Sequence, residues 1–131
     1  MEKVRLGIIG VGNMGSSHIR NYLKNEMPEF IITAVCDVKD DRLEWAKEQL
    51  PEVKTFTDAS KLMGSGEVDA ILIATPHYFH PPMVIEGLNK GLHVMSEKPA
   101  GVYTKQVREM NEVAKKSDKI FGIMFNQRTN C

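Results

Sequence analysis

VRLGIIGVGNMG, residues Val4 to Gly15, is the stretch from which the rest of this 131-residue chain can be read. Leu6, Ile8 and Ile9, with Gly7 among them, form the apolar, β-prone run of a buried parallel strand, which breaks into Gly10, Gly12 and Gly15 as an amphipathic helical pattern begins. Strand, tight glycine turn and helix start follow in the order that a dinucleotide-phosphate site requires. One glycine bends the chain, one lets backbone approach a pyrophosphate, and one lets helix pack closely on strand. The phosphate then rests on unpaired helix N–H groups. The same spacing also occurs as a plain glycine turn in unrelated α/β domains, so its surroundings must discriminate.

Working outward, Asn13 to Asn25 reads as a helix with Met14, Ile19, Tyr22 and Leu23 on one side, and Pro28 lies in the segment that ends it. Phe30 to Asp37 is a β-branched run closing on an acid. Asp37 stands about 20 residues beyond Gly15, the separation at which an acid ending the second strand holds ribose hydroxyls. Asp40 or Asp41 is expected to cap a second helix in which Leu43, Ala46 and Leu50 share a face, with Pro51 stopping it and Trp45 off that face at the surface or an interface. Val53 to Phe56 makes a third strand, and Thr57 or Asp58 opens a short helical turn ending near Gly64 to Gly66.

Asp69 to Thr75 is the cleanest buried strand, stopped by Pro76. His80, Pro81 and Pro82 fit a helix start, Met83, Val84, Ile85 and Leu88 its apolar face, and Gly91 its end. A fifth strand spans Leu92 to Ser96. Thr104 is expected to cap the longest helix, with Val107, Met110 and Ala114 inward and Glu112 paired to Lys116. Ile120 to Phe125 is the sixth strand. Six strands alternating with helices imply an α/β, Rossmann-type, doubly wound parallel sheet in three αβα layers, with right-handed crossovers and strand order 3-2-1-4-5-6. Residues 1–131 then form one dinucleotide-binding domain.

Composition narrows the partners. Lys plus Arg and Asp plus Glu number 17 each, in no long run of one sign, which argues against nucleic acid and against an anionic membrane. No stretch approaches the roughly 20 apolar residues of a membrane helix, and glycines interrupt the apolar start before it resembles a signal peptide. Cys36 and Cys131 make neither a disulfide framework nor metal-ligand spacing, so the expected compartment is the cytoplasm and no metal is expected.

Ligands of such a sheet bind beyond the strands' carboxyl ends. Those ends carry Gly10 to Gly15, Asp37, Thr75 to His80, Glu97 to Pro99 and Asn126. His77 and His80 suit acid/base work, although a cap or loop hydrogen bond is the commoner fate of a histidine after a buried strand. Lys98, between Glu97 and Pro99, either reaches a ligand at the sheet edge or is an exposed turn lysine. The residues alone leave that choice open.

GIIGVGNMGSSH at Gly7 to His18, the Cys36–Asp37 pair, ATPHYFHPPMVIEGLNKGLHVMSEKP at Ala74 to Pro99 and the tail GIMFNQR together identify a resemblance. The chain resembles the N-terminal half of the glucose-fructose oxidoreductase and inositol dehydrogenase family, Gfo/Idh/MocA, over essentially all its length. The resemblance implies an NAD(P)-dependent oxidoreductase acting on a sugar, cyclitol or related hydroxyl compound. It implies that Gly10, Gly12 and Gly15, with Asn13 and Met14 in the same turn, line the pyrophosphate and that Asp37 holds the adenosine ribose. Thr75, Pro76, His80 and Glu97 then border the nicotinamide side, with Asn126 at the end of the sixth strand. Lys98 is the expected catalytic residue, hydrogen-bonding near the reacting hydroxyl and the nicotinamide, and its bond to Pro99 is a candidate cis peptide. His18 and His80 match family positions without taking the general base's role. NAD is favoured because a carboxylate repels a 2′-phosphate; Lys39 and Arg42, the latter a cofactor-binding candidate, leave room for NADP. Family members continue into a second α/β domain carrying most substrate contacts and the usual catalytic histidine. Ending at Cys131, the chain is expected to bind cofactor, to be weakly active or inactive alone, and to self-associate through apolar residues exposed at Ile120, Phe121, Ile123, Met124 and Phe125. The alternative is a stand-alone nicotinamide-nucleotide sensor or docking subunit.

Overall fold

The computed structural model describes residues 2–76, 79–98, 101 and 103–124. Eleven elements alternate along it: β1 (Val4–Ile9), α1 (Asn13–Leu23), β2 (Phe30–Cys36), α2 (Asp40–Gln49), β3 (Lys54–Phe56), α3 (Ala59–Met63), β4 (Ala70–Ile73), α4 (His80–Asn89), β5 (His93–Glu97), α5 (Thr104–Lys116) and β6 (Phe121–Met124). The strands form one parallel sheet in the order β3-β2-β1-β4-β5-β6. This is the doubly wound Rossmann-type arrangement expected from the sequence.

Two apolar layers hold helices to the sheet. On one face Ile9, Ile71, Ile73 and Val94 meet Leu62 of α3, Val84 and Leu88 of α4 and Met110 of α5. On the other, Leu6, Ile8, Ile32 and Val35 meet Ile19 of α1 and Leu43 and Ala46 of α2. Every residue of β4 is buried, as its aliphatic run requires. At the amino edge Arg5 Nη2 lies 2.8 Å from Asp69 Oδ1, tying β1 to the start of β4. The guanidinium's hydrogen bond holds the Asp69 carboxyl below its usual range.

Several local expectations need correction. The N-cap of α2 is Lys39 and that of α5 is Tyr103, so Asp40 and Thr104 sit one position inside their helices. Asp40 and Asp41 therefore act on the first turn as charges complementing the helix dipole. Asp58 does cap α3, accepting from the Ser60 N–H. Trp45 is half-buried against the α2 core, and the Arg20 guanidinium stacks 5.2 Å from its ring centroid, joining α1 to α2. Glu112 pairs with Lys115, one residue nearer than expected, at 3.6 Å. Ile120 is 74% exposed, whereas Phe121, Ile123 and Met124 are half-buried; Phe125 lies outside the described residues. Ile120 and Met124 belong to an apolar trough of about 810 Å³ beside α1, where Leu72 of β4 and Met95 of β5 also line the sheet face.

Candidate functional site

The glycine turn is built as its spacing demands. Gly10 has φ +94°, a left-handed value natural to glycine, and its N–H donates to the Cys36 carbonyl at 2.8 Å. A Cβ there would stand 2.7 Å from the Ala74 carbonyl oxygen, so only glycine lets the turn after β1 lie this close to the end of β4. At Gly15 a Cβ would overlap the Gly10 carbonyl oxygen; this residue lets α1 lie against the turn. Gly12 caps α1, and nothing lies within 4 Å of the position its Cβ would take. No side chain caps α1 and no acid occupies its first turn. Those features fit a pyrophosphate: open space over Gly12, free helix N–H groups, and no competing carboxylate.

Asp37 closes the turn from the end of β2. Its Oδ2 accepts from the Val11 N–H at 2.8 Å and its Oδ1 from the Lys39 N–H at 2.9 Å. Carboxylate oxygens have about four acceptor sites between them, so capacity for two ribose hydroxyls remains. Arg42, reaching back from α2, donates to the Val11 carbonyl at 3.2 Å, so its guanidinium helps hold the glycine turn. Beside them Cys36 is buried, and desolvation first, then Asp37 and Asp58, push its thiol up to about 12.

Gly10, Gly12, Asp37, Arg42, Thr75 and Pro76 line one cleft of about 450 Å³, together with Val38, Phe79 and Met83. Six of the expected cofactor residues are thus brought together by the carboxyl ends of β1, β2 and β4. Among the described residues, that lining does not include Asn13, Met14, Gly15, His80, Glu97 or Lys98. Met14 lines the trough on the α1 side instead. His80 is fully buried at the start of α4 with Nε2 2.8 Å from the Thr75 carbonyl oxygen, a loop hydrogen bond that fixes the turn after β4. Lys98 is exposed immediately after β5. Asn126, His77, Pro99 and hence the Lys98–Pro99 peptide lie outside the described residues.

Two features escaped the sequence reading. Val38, directly after Asp37, is 83% exposed in the cleft wall, an apolar surface that no motif in the sequence singles out. Glu97 is 4% exposed and its Oε1 lies 2.5 Å from Nε2 of His18, itself 9% exposed. The helical signal was available, since His18 follows Gly15 by one turn and so shares its sheet-facing side. Its partner, 79 residues away, was not. Among the described residues no group of three or more His, Cys, Asp or Glu is placed to hold a metal, and no helix is long and apolar enough to cross a membrane.

Comparison with known proteins agrees with this geometry. The family model for the Gfo/Idh/MocA oxidoreductases, described as "Oxidoreductase family, NAD-binding Rossmann fold", matches residues 4–125. The chain is 34% identical over 125 residues to myo-inositol 2-dehydrogenase of Thermotoga maritima, an alignment covering 95% of this chain and 37% of that protein. It is similar to the crystal structure of myo-inositol 2-dehydrogenase from Lactobacillus plantarum, with a TM-score of 0.93 and 36% identity over 98% of this chain and 38% of that one. It is similar too to scyllo-inositol dehydrogenase from Lactobacillus casei with bound NAD(H) and scyllo-inositol, with a TM-score of 0.93 and 28% identity over 98% of this chain and 38% of that one. The chain therefore spans little more than a third of the length of these relatives. Its sheet order, glycine turn and matched residues make it a member of the Gfo/Idh/MocA oxidoreductase family, whose NAD-binding Rossmann domain it forms.

Proposed function

We propose that this chain holds the cofactor of an NAD-dependent oxidoreductase acting on a CH–OH group of a sugar, cyclitol or related polyol. The observation that carries the proposal is the single cleft in which Gly10, Gly12 and Asp37 meet Thr75 and Pro76. The α1 N-terminus and glycine backbone receive the pyrophosphate, Asp37 the adenosine ribose, and Val38 offers apolar surface to the base beside it. Thr75, Pro76, His80 and Glu97 shape the nicotinamide end, and Asn126 belongs to the same edge. When bound, the nicotinamide supplies a hydride acceptor or donor. Lys98, launched from the end of β5, places an ammonium near the substrate hydroxyl, where it favours developing alkoxide charge. The proton acceptor and most substrate contacts belong to a second domain like that of the longer family members, so this chain alone turns over poorly or not at all.

NAD is preferred to NADP because Asp37 accepts hydroxyls and repels a phosphate, while Arg42 is committed to the Val11 carbonyl. The compartment is read as cytoplasmic from the cysteine usage. Self-association is expected from the apolar trough and the exposed Ile120, and light scattering checks it. The central test is fluorescence titration of the chain with NADH and NADPH. NADH binding more tightly supports the reading; NADPH binding more tightly, or neither binding, refutes it.

A further inference from the structure

β5 ends in two buried polar residues, Ser96 and Glu97. Ser96 is fully buried and Glu97 nearly so, and burying a hydroxyl and a carboxyl is costly unless each is hydrogen-bonded. Both are. Ser96 Oγ donates to the Glu97 carbonyl at 3.1 Å, while the Glu97 carboxylate meets the His18 imidazole at 2.5 Å. The Glu97 carbonyl belongs to the peptide that joins Glu97 to Lys98. Side chain and main chain of Glu97 are therefore pinned at the position from which Lys98 departs, and β6 holds the same residue by pairing Glu97 with Met124.

The other end of the pin is equally placed. His18 is on α1, one turn beyond Gly15 and on the same helix whose N-terminus opens over Gly12. It is separated from Glu97 by 79 residues, so the contact is made by the fold and not by local chain geometry. One buried link thus connects the helix that receives the pyrophosphate to the residue that launches the ammonium.

Resting on the cofactor reading above, we propose that His18 and Glu97 are positioning residues, a buried clamp that fixes the Glu97–Lys98 peptide relative to α1 and so sets where the Lys98 ammonium stands against the nicotinamide end of the bound dinucleotide. The clamp holds Glu97 with its carboxyl group turned to His18. Its effect on binding passes through Lys98. Ser96 belongs to the same device, because it holds the carbonyl while His18 holds the carboxylate.

The test separates the two ends of the cofactor. NADH and ADP-ribose, which lacks nicotinamide, are titrated against the 131-residue chain and its variants by fluorescence and calorimetry. His18→Leu is expected to weaken NADH about tenfold, the worth of a well-placed hydrogen bond, and to leave ADP-ribose unchanged. Lys98→Met should cost NADH a similar factor. Combined with Lys98→Met, His18→Leu should add nothing, since both act on one ammonium. His18→Gln keeps an N–H donor for the Glu97 carboxylate and should restore NADH affinity. If His18→Leu does not fold, Glu97→Met, which removes the acceptor at similar side-chain length, runs the same cycle. Equal losses for NADH and ADP-ribose, or losses from His18→Leu and Lys98→Met that multiply, would overturn the clamp while leaving the cofactor reading in place. A wild-type chain that binds ADP-ribose but gains nothing from the nicotinamide would also overturn it, and one that binds neither ligand sinks the cofactor reading itself.

Discussion

Asp37→Ala is the substitution whose consequences divide most cleanly between fold and ligand. The carboxylate accepts two backbone N–H groups, from Val11 at 2.8 Å and from Lys39 at 2.9 Å. Their environments differ. Val11 is 1% exposed and its N–H would be left in a largely dry turn, whereas Lys39 is exposed and water would replace the lost acceptor. A hydrogen bond to a charged acceptor contributes about 1.5–3 kcal/mol, so the Val11 bond dominates and the expected destabilisation is about 2 kcal/mol. For a domain of this size that lowers Tm by about 6–8 °C. Asp37→Asn keeps one carbonyl acceptor and should lose less than half as much. The ligand effect is separate: on the proposed ribose role of Asp37, removing the carboxylate takes an acceptor from NADH and a repulsion from NADPH, and the gap between the two affinities is expected to narrow. Guanidinium denaturation and paired NADH and NADPH titrations measure both. A variant as stable as the wild type would refute the weight given to the Val11 hydrogen bond, and an unchanged NADH to NADPH ratio would refute the ribose role of Asp37.

Gly15→Ala forces a methyl into the Gly10 carbonyl oxygen, so α1 must lift from the turn; a loss of about 1–3 kcal/mol and of NADH binding is expected, and unchanged denaturation midpoints would show that the close approach is not needed. The Cys36 thiol, raised from 9.0 to about 12 by burial, keeps its proton in the fold while an unfolded chain ionises near 9.0. Stability from this group is therefore complete below pH 9 and falls as pH rises from 9 towards 12. Peptide-resolved mass spectrometry after iodoacetamide treatment at pH 9 should find Cys36 alkylated far more slowly than in denatured protein, and equal rates would contradict the burial.

The sheet was legible because its signals are local. The aliphatic run of β4, the prolines opening α4 and the glycines after β1 are short-range patterns that mark a buried strand, a helix start and a tight turn. Helix starts were less legible, since an Asp or Thr at the first helical position and one at the N-cap differ only in whether the backbone is extended there. Lys39 and Tyr103 take the extended position, at φ −100° and −105°, and neither is a customary cap residue. Trp45 shows a different limit: its partner Arg20 comes from another helix, so no periodicity within α2 could place it. The glycine turn and Asp37 were found together because motif spacing encodes them. The His18 to Glu97 contact was missed because a pairing across 79 residues exists only once the sheet has closed.

The cleft and the trough are two results of one reversal in the sheet. From β1 the chain winds outward through β2 to β3 with α1 and α2 on one face; from β4 it winds the opposite way through β5 to β6 with α4 and α5 on the other. Right-handed crossovers require that change of face. At the reversal, between β1 and β4, the turns after the two strands diverge and open the crevice where Gly10 faces Ala74 and Thr75. The same change of face leaves two quarters of the sheet that α1, α2, α4 and α5 do not cover. Short α3 packs over the quarter beneath β2, through Leu62 and Met63 against Ala34 and Cys36. The quarter across β4, β5 and β6 beside α1 stays open, and Met95 remains 39% exposed there. His18 stands on the wall between these regions, lining the trough and gripping the residue that precedes Lys98. A chain arranged this way has the helix that follows its glycine turn bordered by sheet it does not cover, and the buried contact of His18 with Glu97 fastens that helix to β5.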